Sequence, residues 1–184
     1  MKPISVILWS CVLCIQACAV SQSGDTGQFA KARSLTELAG TYQNRAENDN
    51  PEVKDAYLST ILWPEDKANN PADIDTIKVS VLNEDTVELV AQSSSGSQLK
   101  AALFVRGKHF QLRNGQLEIL SKSSVSGFKA GDPMVGVGSE KTVLGLDPQG
   151  NGKVRQNMSA TGMAFLIIPM HVSEETNLRF IKIR

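Results

Sequence analysis

The chain has 184 residues, with 19 Lys plus Arg set against 19 Asp plus Glu, and only 3 cysteines. That length suffices for one domain with its own core. The balanced charge, with no basic block and no basic–aromatic interleaving, argues against nucleic acid as a partner.

Met1-Lys2 is followed by an apolar run from Ile4 to Ile15, which ends in Ile15-Gln16-Ala17-Cys18. A short positive start and an apolar stretch of this length fit a secretory signal. The run falls short of the ~20 residues a membrane-spanning helix needs. Ile15-Gln16-Ala17-Cys18 resembles the lipobox of bacterial lipoproteins, with an aliphatic residue three before the cysteine and a small one just before it. The resemblance implies cleavage before Cys18, a diacylglycerol anchor on its thiol and acylation, such as by palmitate, of the new amino terminus. Ala19, where many inner-membrane lipoproteins carry Asp, implies the outer membrane, with the domain facing the periplasm. Ala17-Cys18-Ala19 also fits the small-x-small pattern of ordinary secretion, which would release a soluble chain cut after Ala19.

Residues 1–17 therefore read as a lipoprotein signal peptide, 18–33 as a lipidated flexible tether of small polar composition, and 34–184 as a single β-rich domain. Cys11, Cys14 and Cys18 all belong to the leader or its end. The domain thus has no thiols for a disulfide framework or a thiolate metal site. Removing Lys2 leaves 18 basic against 19 acidic residues, so the remainder stays near neutral.

Ser34-Leu35-Thr36-Glu37 fits a capping box, with Gly40 as a stop, and predicts one helical turn. Gly40-Thr41-Tyr42 resembles the opening of lipocalin-type barrels, with Tyr where that motif has Trp, and also the openings of small envelope lipoproteins. The lipocalin likeness implies a barrel that carries a small apolar ligand. Asn50-Pro51-Glu52 has the chemistry of a helix start, and Val53, Ala56, Tyr57, Thr60 and Ile61 recur at helical spacing before Pro64. The pattern predicts an amphipathic helix from Pro51 to about Trp63, laid on a sheet with Trp63 as a buried cap.

From Thr76 the period becomes two: Ile77, Val79, Val81; Val87, Leu89, Ala91; and Leu99, Ala101, Leu103, Val105, with Lys100 and Arg106 pointing the other way. Asn114-Gly115 predicts a type I′ hairpin with Arg113 facing Gln116, Leu112 facing Leu117 and Phe110 facing Ile119. Ser121–Pro133 reads as a loop. Further short strands are expected at Met134–Gly138, Lys141–Leu146, Lys153–Asn157, Met163–Ile168 and Leu178–Ile183, with Phe165–Ile168 apolar on both faces. The fold class is mainly β: an antiparallel meander of about ten short strands with one helix, as a lipocalin-like barrel or a sandwich. A barrel is slightly favoured because it leaves no edges.

Little in the chain points to chemistry. Asp147-Pro-Gln-Gly-Asn151-Gly152 has calcium-loop offsets but carries Met158 where a bidentate Glu is needed, so a hairpin turn is expected. Gly136-Val-Gly138 precedes a strand pattern, which favours bulges or bends over a phosphate cradle. His109, at a strand start, and His171, in a loop after Pro169, lack any nucleophile elbow; a metal would require carboxylates such as Asp73 and Asp75 to converge on one of them. Asn157-Met-Ser159 matches a glycosylation acceptor that matters only in a eukaryotic secretory pathway. No cofactor motif is present.

Targeting without catalytic motifs points to a non-enzymatic envelope lipoprotein that contacts another envelope component. The alternative is a carrier with Leu99, Leu103, Phe104, Phe110, Leu112 and Phe165 lining an apolar pocket. Globomycin, which inhibits lipoprotein signal peptidase, is expected to leave the precursor uncut. Normal maturation under the drug would overturn the Cys18 assignment.

Overall fold

The computed structural model describes residues 28–47, 55–120, 124–126, 134–164 and 168–183. The lipobox with Cys18, the expected helix start at Asn50-Pro51-Glu52, and Phe165 lie outside them. The strands are β1 (Gly40–Gln43), β2 (Thr76–Asn83), β3 (Thr86–Gln92), β4 (Gln98–Val105), β5 (Phe110–Arg113), β6 (Gln116–Ile119), β7 (Ser124–Ser126), β8 (Met134–Leu146), β9 (Gly152–Ala164), β10 (Ile168–Phe180) and β11 (Lys182–Ile183). One sheet runs β11-β1-β2-β3-β4 and the other β10-β9-β8-β6-β5, with β7 also on β8; every pairing is antiparallel.

Of the two architectures expected, the sandwich is the one found. The sheets share the run Leu178–Ile183 on one side: Arg179 O accepts from Glu47 N at 2.8 Å and Ile181 O from Gln43 N at 2.9 Å. On the other side, β4 and β5 are linked among the described residues by the single Arg106–Phe110 bridge, so the wall is not a continuous barrel.

Between the sheets Ile77, Phe110 and Phe180 are wholly buried, with Val154 and Leu178 almost so. Alternation explains why: Ile77, Val79 and Val81 stand opposite Ala91, Leu89 and Val87, all on the inner face. The Asn114-Gly115 hairpin has the expected register, and φ of 54° and 75° at its two central residues makes it type I′.

Several expectations need correction. The α-helix α1 spans only Leu58–Leu62; Tyr57, expected within the helix, is extended and bridges Arg45. Asn44 takes over this region. Its buried side chain donates to Pro71 O (2.9 Å) and Ile74 O (3.0 Å) and accepts from Ser59 N (2.8 Å), fixing α1 to β1. Backbone pairing inside a hydrogen-bonded side-chain frame outweighs weak helical spacing.

The short strands expected after Met134 are instead three continuous strands of 13 residues each, in register with no bulge. Gly136 and Gly138 accordingly pair with Gly162 and Ala160 in regular ladder positions, and His171 lies in β10 rather than in a loop. Polar or small residues on both faces had masked the continuity. At ~3.3 Å per residue each strand is ~43 Å long. β6 pairs with β8 only over 142–144, so the ribbon runs on past it with both faces open: Val137 on one and Met158 and Val172 on the other are each 55% exposed.

The tether expected to run to Arg33 gives way at its end to a docked strap. Ala30 N donates to Leu146 O at 2.8 Å. The Phe29 ring lies over Gly145, 5.7 Å from Lys153 Nζ and 5.1 Å from Arg155 Cζ. Composition hid this because one aromatic and a few backbone bonds suffice to dock six residues. At the hairpin, a Cβ on Gly115 would overlap the Ala32 carbonyl, whereas one on Gly150 (φ 86°) would meet nothing. Gly115→Ala is therefore expected to cost at least ~1 kcal/mol in chemical denaturation, through its left-handed backbone and the strap clash together. Gly150→Ala, bearing only the backbone penalty, should cost less; equal losses would show that strap contact contributes nothing.

Candidate functional site

The interior holds an apolar cavity of about 80 Å³ between the sheets. Val79, Val87, Leu89 and Phe104 line it from one sheet; Leu117, Leu144, Val154 and Phe180 line it from the other. Leu58 and Leu62 of α1 close one part, and Leu38 and Tyr42 another. The expected turn at Ser34 forms as a 3₁₀ helix, Leu35–Leu38, whose first N–H groups include Thr36 N bonded to Ser34 Oγ at 3.2 Å. It buries Leu35 and Leu38. Tyr42 donates its hydroxyl to Leu38 O at 2.8 Å, and burial pushes its phenol up to about 12. Lys182 stands over the Tyr42 ring (5.5 Å) and donates to Glu37 O (3.3 Å), tying the last strand to this plug.

Of the described residues expected to line a pocket, only Phe104 lines this cavity, and Phe165 lies outside the described residues. Phe110 is wholly buried core beside the cavity, and Leu112 packs half-buried against that core. Leu99 and Leu103 face outward, 37% and 53% exposed. The structure inverts the expected phase of β4: Phe104, Ala102 and Lys100 stand opposite Val87, Leu89 and Ala91 on the inner face. Leu103 and Ala101 stand opposite Glu88 and Val90 on the outer one. The more apolar phase of β4, with Leu99, Ala101 and Leu103, is the one turned outward, so alternation points the wrong way here. The Ser93–Ser97 turn (Ser93 N to Ser97 O, 2.9 Å) and a bulge at Ala91/Gln92 set the register instead.

The inward Lys100 is carried by a specific frame. Its Nζ lies 2.7 Å from Asp66 Oδ2 and 5.2 Å from the Trp63 ring centre; Trp63, expected as a buried cap, is half-buried. Asn69 Nδ2 (3.1 Å) and Ala68 N (3.0 Å) also donate to Asp66. These bonds, Lys100 foremost, pull the Asp66 carboxyl down to about 2. This frame pins the segment after α1 over the end of the first sheet.

Other candidate chemistry is occupied structurally. Asp147 is buried and accepts from Gln149 N (2.9 Å), Asn151 N (2.8 Å) and Arg179 Nε (2.8 Å), as a turn residue rather than a cation ligand. His109 Nδ1 accepts from Val105 N at 3.0 Å, and His171 Nδ1 lies 3.0 Å from Thr161 Oγ1. Among the described residues no three His, Cys, Asp or Glu side chains converge as a metal group. Sequence reasoning missed Tyr42, Leu58, Leu62, Leu117, Leu144 and Val154 as lining. For Leu117 and Leu144 the signal lay in carrying the hairpin register one strand further.

No family model, no curated protein and no solved structure matches the chain.

Because Asp66 has a lower pKa folded than unfolded, the stability it confers is full above its unfolded value near 4. That contribution is lost as pH falls through about 2. Lys100→Gln is expected to lower Tm at neutral pH by a margin that narrows between about pH 4 and 2. A margin constant across that range would show that the pair is not what holds Asp66 down.

Proposed function

We propose that the protein is a non-enzymatic module of the bacterial envelope, anchored through a lipidated Cys18 at the periplasmic face of the outer membrane. Its outer β2–β4 surface contacts another envelope component. The observation that carries this reading is that this outer face leaves large aliphatics in water: Leu103 (53% exposed) beside Ala101, with Leu99 (37%) and Leu82 (55%) at bulges toward the two ends of the sheet. Large aliphatics exposed on one sheet face are what a partner surface covers. Lys78 and Glu88, on the same face, add polar contacts of both signs beside them.

A second reading rests on the cavity. Its lining is almost wholly apolar, since Tyr42 donates its hydroxyl to Leu38 O and the Lys153 side chain by register leaves on the outer face, which supports an apolar ligand over a polar one. At about 80 Å³ it is roughly half the ~150 Å³ that admits benzene, so an occupant is a few methylenes at most unless the walls move. That size supports the contact role more than the carrier role.

A photocrosslinker at Leu103, introduced in living cells, is expected to trap one discrete envelope component, and one at Gln111 on the other sheet should not. Equal trapping at both positions, or none, would sink the contact reading. Native mass spectrometry of the membrane-extracted protein separates the alternatives. A small mass lost on denaturation would promote the carrier.

A further inference from the structure

β10 is the outer strand of its sheet, and the joint with β1 reveals the parity of its free edge. Arg179 O and Ile181 O both accept from the chain segment 43–47. Odd-numbered residues of this run therefore turn their backbone groups away from β9, and even-numbered ones turn theirs toward it. Followed back along the strand, this alternation leaves His171, Ser173 and Glu175 each presenting an N–H and a C=O outward. Pro169 presents a carbonyl alone. Among the described residues, no strand pairs with β10 on that side between Pro169 and Glu175. The strand is long, in unbroken register with β9 and free of bulges, and Pro169 and the two glutamates restrict which registers its edge can accept.

We propose that this edge pairs with the same edge of a second copy of the chain, antiparallel about a two-fold axis at Ser173. The sequence fits itself in that register. Ser173 meets Ser173 of the second copy, and each His171 meets a Glu175, with two backbone hydrogen bonds exchanged at each of these pairs. His171 and Glu175 lie on one face, where an imidazole meets a carboxylate already beside Arg155 (3.5 Å) and bonded by Asn177 Nδ2 (2.9 Å). On the other face the exposed Val172 meets the methylenes of Glu174.

Neighbouring registers are worse. A shift of one pair toward the C-terminus sets Glu174 directly against Glu174, a destabilising like-charge contact. The opposite shift sets Glu175 against Pro169, which has no N–H to give. The product is one continuous sheet that runs through β8, β9 and β10 of one copy into β10, β9 and β8 of the other, with the remaining strands of each second sheet beyond. Its contact is independent of the exposed leucines, which lie on the other sheet.

Cysteine crosslinking in the full chain, with Cys11, Cys14 and Cys18 replaced by serine, tests both pairing and register. Cα atoms at a hydrogen-bonded pair stand ~5.5 Å apart, within disulfide range. Ser173→Cys is expected to give a covalent dimer under mild oxidation, and Glu174→Cys several-fold less. Ser173→Pro removes only an outward N–H, so it should leave circular dichroism unchanged and turn the dimer to monomer in analytical ultracentrifugation. The proposal is overturned by a chain that is monomeric at every concentration, by a dimer that persists in Ser173→Pro, or by Glu174→Cys crosslinking as readily as Ser173→Cys.

Discussion

Everything in this fold hangs on one run of backbone that belongs to both sheets. Leu178–Ile183 leaves the second sheet as β10 and enters the first as β11, bonded across to residues 43–47 on the way. Its alternation puts Leu178 and Phe180 into the core and turns Arg179 outward to Asp147 and Glu47. The β8–β9 turn is locked to the same joint, since Lys182 N donates to Asn151 Oδ1 at 3.1 Å. A single register choice thus sets the core, the turn, and the parity of the long free edge.

A domain whose described residues include no cysteine must close its ends by burial and hydrogen bonding. Here one end is plugged by the 3₁₀ turn, Tyr42 and Lys182, and the strap lies on the outer face of the second sheet. Lys153 shows what the strap accomplishes. By register it shares the outer face with Gly145 and Arg179, yet it is wholly buried, with Phe29 beside its ammonium group. Bare Gly145 makes room for that ring, because a Cβ there would come within 2.7 Å of it.

What could be read in advance follows from how local each signal is. The Asn114-Gly115 hairpin was legible because its turn chemistry and four flanking pairs are contiguous and agree. β2 and β3 were legible because only one of their phases is apolar. β4 was not, since its more apolar phase, with Leu99 and Leu103, is the one turned outward, and the choice is made by a turn and a bulge. The 13-residue strands were cut in the reading at 139–140, 158–162 and 169–177, stretches that pair as regular ladder members. The pocket inherited the β4 error: two of its expected leucines moved outside, and its true walls came from strands joined only in three dimensions.

The β4 inversion bears on function because burial alone does not favour it. The opposite phase would bury Leu99, Ala101 and Leu103 in place of Lys100, Ala102 and Phe104. Burying a leucine side chain stabilises by ~1.5–3 kcal/mol, whereas an inward lysine must be compensated by partners. The chain supplies those partners in Asp66 and Trp63, with Asn69 holding Asp66, the same frame that pins the segment after α1. Folding would be served more simply by the other register. The inverted phase keeps two leucines in water and sets a partly exposed Lys100–Asp66 pair in their place, the arrangement on which the proposed contact role rests.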